Sequence, residues 1–517
     1  MADKEHQAIY EGLVNILGKD NVSDDKSVME AYVRDWLPPG VLSPLTPEFV
    51  VMPENTKEVQ SIYKLANRLK FPIIPVGSNQ WSLTTKPNRP RTVTLDSKRL
   101  NRILEIDEKN MYMIIEPYVT NAQVSAEAMK YGLQCGCPEA GGQASQLAGH
   151  IFMGMWGNGY RVGMGYKNML GFELVFPNGE VLRAGSLSNS KSGWFFGEGP
   201  GPDLRGMLRA YLGTMGGYGT VTKLAIKLEP WPGPKEFPCE GITPNQKSFF
   251  EDGSFEWVLF TYPTLDAAVN AMYEIGRCEI GGSLHKWSSK YLCWWWAKSG
   301  EEHWKMWQKK FFQKNMKNML SVCLWPFSGK KHQEYEKRVL LDIIKDTGGK
   351  LISKEAHDLW VDSTANNWLR DSSGPRMMQP SGAFSLFKIV GDTLNVSLQA
   401  CKEGFKWMDK YSPPVLDCDN SDWIVPYDFC HFAIGETDFP YEKTPEDSAA
   451  VVGALMEMIK DDLSHKKEGG VGNALGGTYH ALAGPVLGNY DQLLRGIKLS
   501  IDPNNIANPP HPVPVEE

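Results

Sequence analysis

The sequence predicts an α+β fold built as two units, and three observations carry that prediction. Residues 42–232 alternate short apolar, strand-like runs with amphipathic helical ones. A proline-rich stretch, WPGPKEFP at residues 231–238, then breaks the pattern. Beyond it the composition shifts toward Trp, Lys and Met, while strand-like and helical stretches continue to residue 475.

Residues 5–36 have helical spacing, ended by Pro38-Pro39-Gly40, Pro44 and Pro47. Residues 49–52 read as a strand, 56–68 as a helix with Val59, Ile62, Tyr63 and Ala66 on one face, and 71–75 as a second strand, giving a β-α-β unit. A polar loop at residues 76–83 separates it from a strand at 92–96; such a loop exposes consecutive backbone N–H groups. Further strands are expected at 112–116, 172–176 with the turn Pro177-Asn178-Gly179, 181–182 and 221–228. After the break, strands are expected at 256–261, 383–389 and 424–434, and helices at 265–275, 330–346 and 445–460. The implied organisation is a helical lead-in (1–41), a first domain (42–232), a second (240–475) and a closing segment (476–517).

Composition narrows the function. The 517-residue chain carries 54 basic against 61 acidic residues, a net charge of −7 that does not suit a nucleic-acid scaffold. Nine scattered cysteines predict free thiols in a reducing compartment. The first residues lack a signal-peptide core and no apolar run is long enough to span a bilayer, so a cytoplasmic protein is expected. There is no G-x-x-x-x-G-K-[ST], no complete G-x-G-x-x-G after an early strand, no H-E-x-x-H and no G-x-S-x-G; Cys135-Gly136-Cys137 has no second pair, so no metal site is expected. Glycine is dense at residues 141–171 and 213–219, which with the loop at 76–83 predicts backbone approaching one large ligand.

An ordered series of segments carries a resemblance. PENTKEVQ (53–60), FPIIPVGSN (71–79), TLD (94–96), LNRILEID (100–107), IEPYVT (115–120), PEAGG (138–142), GFELVFPNGEVL (171–182), GPDLRG (201–206), GTVTK (219–223) and the closing DPNNIANP (502–509) together resemble the vanillyl-alcohol oxidase / para-cresol methylhydroxylase flavoproteins. The resemblance implies a two-subdomain, PCMH-type FAD-binding domain with an inserted α+β cap and a C-terminal return. It implies FAD held by the loop Val76, Gly77, Ser78, Asn79, Gln80, Trp81 and Ser82, whose amides form an anion nest for the pyrophosphate. Pro117, Pro138, Gly141, Gly142, Ser145, Gln146 and Gly149 would line the ribityl and flavin region, and backbone at Gly219, Thr220 and Val221 the adenine or ring edges.

The family removes hydride from substrate carbon to flavin N5, and relatives place a tyrosine-arginine pair where this chain has Tyr479-His480; a neutral His480 would accept the alcohol proton and Tyr479 orient the substrate oxygen. The acid that alkylphenol oxidases keep near the flavin falls at Met164, and the arginine at Thr478, which disfavours a phenolate substrate. Gln80-Trp81 closes one route to covalent flavin; His431, ahead of Pro445-Glu446-Asp447, matches the cap histidine that links it in the vanillyl-alcohol branch, against the plainer reading of a strand histidine. Asp428, Glu436 and Arg370 are polar cap residues read as surface or structural. Late G-H-x-G-D-G-N-x-H and G-E-H-G-x-G segments of D-lactate and glycolate dehydrogenases are absent, which disfavours a 2-hydroxy acid and leaves it as the alternative substrate; a non-redox reaction like that of alkyl-dihydroxyacetone-phosphate synthases is another alternative.

The aromatic and basic segment 286–312 reads as a docking face for a membrane surface or an electron-transfer protein, or as cap core plus subunit interface. The expected partners are a small-molecule substrate, an electron-acceptor protein and a second copy in a homodimer or larger assembly; as the flavin subunit of a complex, the chain would have further partners.

Overall fold

The computed structural model describes residues 2–33, 45–79, 86–136, 141–151, 154, 158–185, 201–209, 213–236, 239–240, 247–248, 254–297, 299–361, 383–465 and 477–515. Three larger sheets organise them. The first contains β1 (Val22–Ser23), β2 (Phe49–Val51), β3 (Ile73–Val76) and β4 (Val93–Asp96) in the order β1-β2-β4-β3. Strands β2 and β3 run parallel to β4, with Phe49 and Ile73 both opposite Val93. The helix Thr56–Leu69 makes the crossover that a parallel pair requires. It begins where the Asn55 side chain accepts from Glu58 N–H and ends at Lys70 in the left-handed region. Its buried Val59, Ile62, Tyr63 and Ala66 pack with Phe49, Ile73 and Leu13. The expected long N-terminal helix is two, Ala2–Leu17 and Lys26–Glu30, because Gly18 adopts φ +79° between them.

The second sheet is antiparallel, with β5 (Ile103–Asp107), β6 (Tyr112–Ile115), β8 (Met169–Val175), β9 (Val181–Ala184) and β10 (Thr220–Lys227) in the order β5-β6-β10-β8-β9. Two short pairs accompany it: β7 (Leu133–Gln134) with β11 (Glu229–Pro230), and β12 (Cys239–Glu240) with β13 (Lys247–Ser248). The helix Thr56–Leu69 is joined to this second sheet by polar contacts. Glu173 on β8 accepts from Thr56 Oγ1 at 2.8 Å, Lys223 Nζ at 2.6 Å and Arg183 Nε at 3.0 Å, while Tyr63 and Thr220 hydroxyls meet at 2.8 Å.

The third sheet is antiparallel and seven-stranded: β14 (Glu256–Thr261), β15 (Ser283–Trp287), β16 (Met319–Leu324), β17 (Lys350–Leu351), β18 (Ala383–Asp392), β19 (Asp422–Tyr427) and β20 (Phe432–Tyr441), in the order β17-β14-β16-β15-β19-β20-β18. The single strand expected over 424–434 is thus a turn between two: Asp428, Phe429 and Cys430 all take positive φ and reverse the chain. Alternation along β20 assigns the faces. Gly435 and Thr437 pack on the helix Leu394–Lys410, through Ser397 and Gly404. Ile434 belongs to the opposite, aromatic face with Trp257, Trp287, Trp294, Trp360 and Trp423, a cluster that also takes in Met129 and Met164 from the first part of the chain.

The segment read either as docking face or as core is largely core. It folds as β15 and the helices Ser289–Trp296, Gly300–Gln308 and Phe311–Asn315, and buries Trp287, Trp294, Trp307 and Phe312. The Lys290 ammonium lies over the Trp304 and Trp307 rings and donates to the Asp417 carbonyl at 3.1 Å. Among the described residues, no helix is long and apolar enough to cross a membrane.

Candidate cofactor and active site

Two loops separated by 67 residues meet behind β3: the Ser78 hydroxyl accepts from the Ser145 N–H at 3.1 Å. Their approach is close enough that a Cβ on Gly77 would stand 2.8 Å from Ser145 Oγ. Val76 is fixed from the other side, since Ser97 Oγ donates to its carbonyl at 2.8 Å. Asn79 takes φ +52°, a left-handed conformation of the kind that anion nests use. Gln80, Trp81, Ser82 and Pro138 lie outside the described residues.

The second loop is braced by the helix Asn121–Lys130, whose capping box uses Thr120 and Gln123. Asn121 Nδ2 donates to the Gly141 and Ala144 carbonyls at 2.7 and 3.1 Å, and Ala122 N–H to the Gly142 carbonyl at 2.8 Å. Pro117 sits in the buried turn before it. Gln146 starts the helix Gln146–Ile151; Gly149 N–H donates to the Ser145 carbonyl at 3.1 Å, and burial holds His150 neutral, its pKa pushed down to about 4.

The third group converges through the C-terminal return. Residues 506–508 pair with β3, Ile73 N–H donating to Ile506 O at 2.7 Å and Asn508 N–H to Ile73 O at 2.8 Å. Gly217 packs against the His511 carbonyl so closely that a Cβ would overlap it. Lys498, fully buried, donates to the Gly217 and Ala507 carbonyls and to Asp502, each at 2.6 Å. Gly219 takes φ +130° beside the Val175 carbonyl. The side chains of Thr220 and Val221 are committed to Tyr63 and to the sheet core, so what they offer a ligand is backbone.

Tyr479 and His480 lie on the helix Thr478–Ala483, which starts at Gly477, whose N–H donates to Pro512 O of the return segment at 3.0 Å. Burial, then the Asp462 charge, pushes the Tyr479 phenol up to about 12. Burial lowers His480 more than Asp491 raises it, so its imidazole is neutral near pH 7. Its neighbour His511 is pushed to about 3 by burial, Lys498 and His480. His431 is exposed, in the β19–β20 turn, which is held by Asp428 N–H to Gly159 O at 3.1 Å and Phe429 N–H to Tyr160 O at 2.7 Å. Met164 is buried in the aromatic cluster, and Arg370 lies outside the described residues. Sequence reasoning overlooked Lys498 and His511; the D-P-N segment beside them was their signal.

These residues fit FAD. Asn79 Oδ1, Gln146 Oε1 and the Tyr218 hydroxyl are buried without a hydrogen-bond partner among the described residues, and the ribityl hydroxyls, adenine amine and flavin N–H of that cofactor supply donors. The backbone nest would take the pyrophosphate.

The comparisons agree with this geometry. A family model described as FAD binding domain matches residues 47–185. The flavoprotein subunit of 4-cresol dehydrogenase [hydroxylating] from Pseudomonas putida is 29% identical over 251 residues, 46% of this chain and 45% of its own. A glycolate oxidase subunit of Bacillus subtilis is 28% identical over 231 residues, 44% of this chain and 46% of its own. The chain thus spans about half the length of these curated relatives. Substrate-bound p-cresol methylhydroxylase shares the fold with a TM-score of 0.75 at 18% identity, covering 98% of this chain and 96% of that one. Alkyldihydroxyacetonephosphate synthase follows at 0.64 and 16%, covering 97% and 85%. The glycine-lined loops and the matched segment make residues 47–185 a PCMH-type FAD-binding domain with FAD as its cofactor, and the described residues share the fold of p-cresol methylhydroxylase.

Proposed function

We propose that the protein is an FAD-dependent oxidoreductase that takes hydride from an alcohol or benzylic C–H of a small organic substrate, with electrons leaving to a protein acceptor or to oxygen. One observation carries the reading: the helix bearing Tyr479 and His480 packs against the return segment that holds the Gly217 loop, beside the cofactor cradle. Bound FAD supplies the hydride acceptor. The neutral His480 imidazole takes the substrate hydroxyl proton, and Tyr479, which remains a phenol, donates a hydrogen bond to the substrate oxygen. A dehydrogenase is favoured over an oxidase because the 4-cresol dehydrogenase relative is named as one flavoprotein subunit. His431 is the proposed site of covalent attachment, and the chain is proposed to act as a homodimer or larger assembly in the cytoplasm.

A second reading, a 2-hydroxy-acid dehydrogenase, is favoured by relatives named glycolate oxidase subunit and D-lactate dehydrogenase. Anaerobic mixing with benzyl alcohol, p-cresol and D-lactate in turn tests both. Bleaching of the visible flavin band by benzyl alcohol or p-cresol supports the first reading, and bleaching by D-lactate alone the second. Reoxidation by cytochrome c but not by air assigns a dehydrogenase. A yellow protein that catalyses group transfer with no net bleaching overturns both. Acid precipitation tests His431: yellow colour left in the supernatant removes its role.

A further inference from the structure

Ile434, Glu436 and Asp438 alternate on β20 and share its aromatic face, since the intervening Gly435, Thr437 and Phe439 face the helices. Asp438 is fully buried, and neither carboxyl oxygen has a hydrogen-bond partner among the described residues. Trp423 stands directly across from Glu436 on β19; its indole N–H is buried and likewise without a partner. A fully buried carboxyl with nothing to answer it is costly, and folded proteins keep such groups where a ligand completes them.

Among the described residues, the neighbouring charges leave the pair without a countercharge. Lys286 pairs with Asp422, and Lys388 with Asp462 on the helix Pro445–His465. Lys290 is held by Asp417 and two indole rings. His285, on the same aromatic face, is neutral because burial pushes it to about 3. Burial likewise raises Glu436 to about 7 and Asp438 well above the usual carboxylate range, so the pair holds protons that a cation would displace.

We propose that Glu436 and Asp438, walled by Trp423 and its aromatic neighbours, form a substrate subsite for an organic cation, a protonated or quaternary nitrogen. This rests on the reading of the chain as a flavoenzyme whose cap sheet faces the substrate, and it names the substrate class. Carboxylates supply countercharge and indole faces supply cation–π attraction, the combination that aromatic cages use for ammonium groups.

The test titrates the purified flavoprotein with benzyltrimethylammonium, benzylammonium and neutral benzyl alcohol, reading indole fluorescence and, separately, flavin content. Both cations are expected to bind about tenfold tighter than the alcohol. Asp438→Asn and Glu436→Gln are expected to abolish that preference while flavin content stays at wild-type level. Equal binding of cations and alcohol by the wild type overturns the proposal whether or not a variant folds, as does a preference that survives both substitutions. A protein that takes up no FAD counts against the flavoenzyme reading; a yellow one with no cation preference sinks the subsite alone.

Discussion

Gly217 and Gly206 separate two uses of the same residue. A Cβ on Gly217 would run into the His511 carbonyl, a backbone atom that cannot rotate away, whereas Gly206 faces open space. Gly217→Ala is therefore expected to cost about 1–3 kcal/mol, as overpacking does, and to lower flavin retention, while Gly206→Ala leaves both unchanged. Thermal unfolding and the flavin-to-protein absorbance ratio check it. Glycine density made these loops legible in the sequence. The Ser78–Ser145 hydrogen bond was not, because a partner 67 residues away leaves no local pattern. Nor was the carboxyl pair on β20: Glu436 and Asp438 look like surface residues until that strand is placed with both faces covered.

Elements were legible wherever their periodicity was local. The helices Thr56–Leu69 and Lys330–Asp346 carry their own caps or apolar stripes. Strand β15 was not read, because His285 and Lys286 interrupt an apolar run; Lys286 is tolerated only because Asp422 on β19, 136 residues on, neutralises it. Strand β8 shows the opposite case, a charge whose benefit can be measured. Burial raises Glu173, but hydrogen bonds from Lys223, Thr56 and Arg183 with the Lys223 charge outweigh it and bring the pKa to about 2. A depressed carboxylate contributes stability that is present above its unfolded pKa and lost as pH falls through the folded one. The protein should thus lose about 2–3 kcal/mol between roughly pH 4.5 and 2 from this group. Glu173→Gln, less stable at pH 7, should flatten that part of a denaturant-midpoint profile; an unchanged slope would remove Glu173 from the account. At the start of the helix Asn121–Lys130, Thr120→Ala removes half of a capping box and should cost about 1 kcal/mol, read as a shift in the chemical-denaturation midpoint.

At the scale of the molecule the chain closes on itself, and Lys498 is the closure. Its ammonium is buried with Asp502 and binds carbonyls from the Gly217 loop and from Ala507, while Asp502 accepts from Ile506 and Ala507 N–H at 3.0 and 2.9 Å. One side chain thus ties the last described stretch to the loop at residues 213–219, and residues 506–508 tie it to β3. Lys498→Met leaves a buried carboxylate with its amide donors but no cation, a loss of about 3–5 kcal/mol. Lys498→Met with Asp502→Asn should recover part of that, because the stranded charge is gone. The seven-stranded sheet has its own apolar clusters and does not depend on this tie. The single variant is therefore expected to release flavin, followed by its fluorescence, at a lower temperature than the tryptophan signal of that sheet changes. If flavin release and tryptophan exposure shift together by the same amount, the return segment is part of one cooperative unit rather than a clasp on the cofactor.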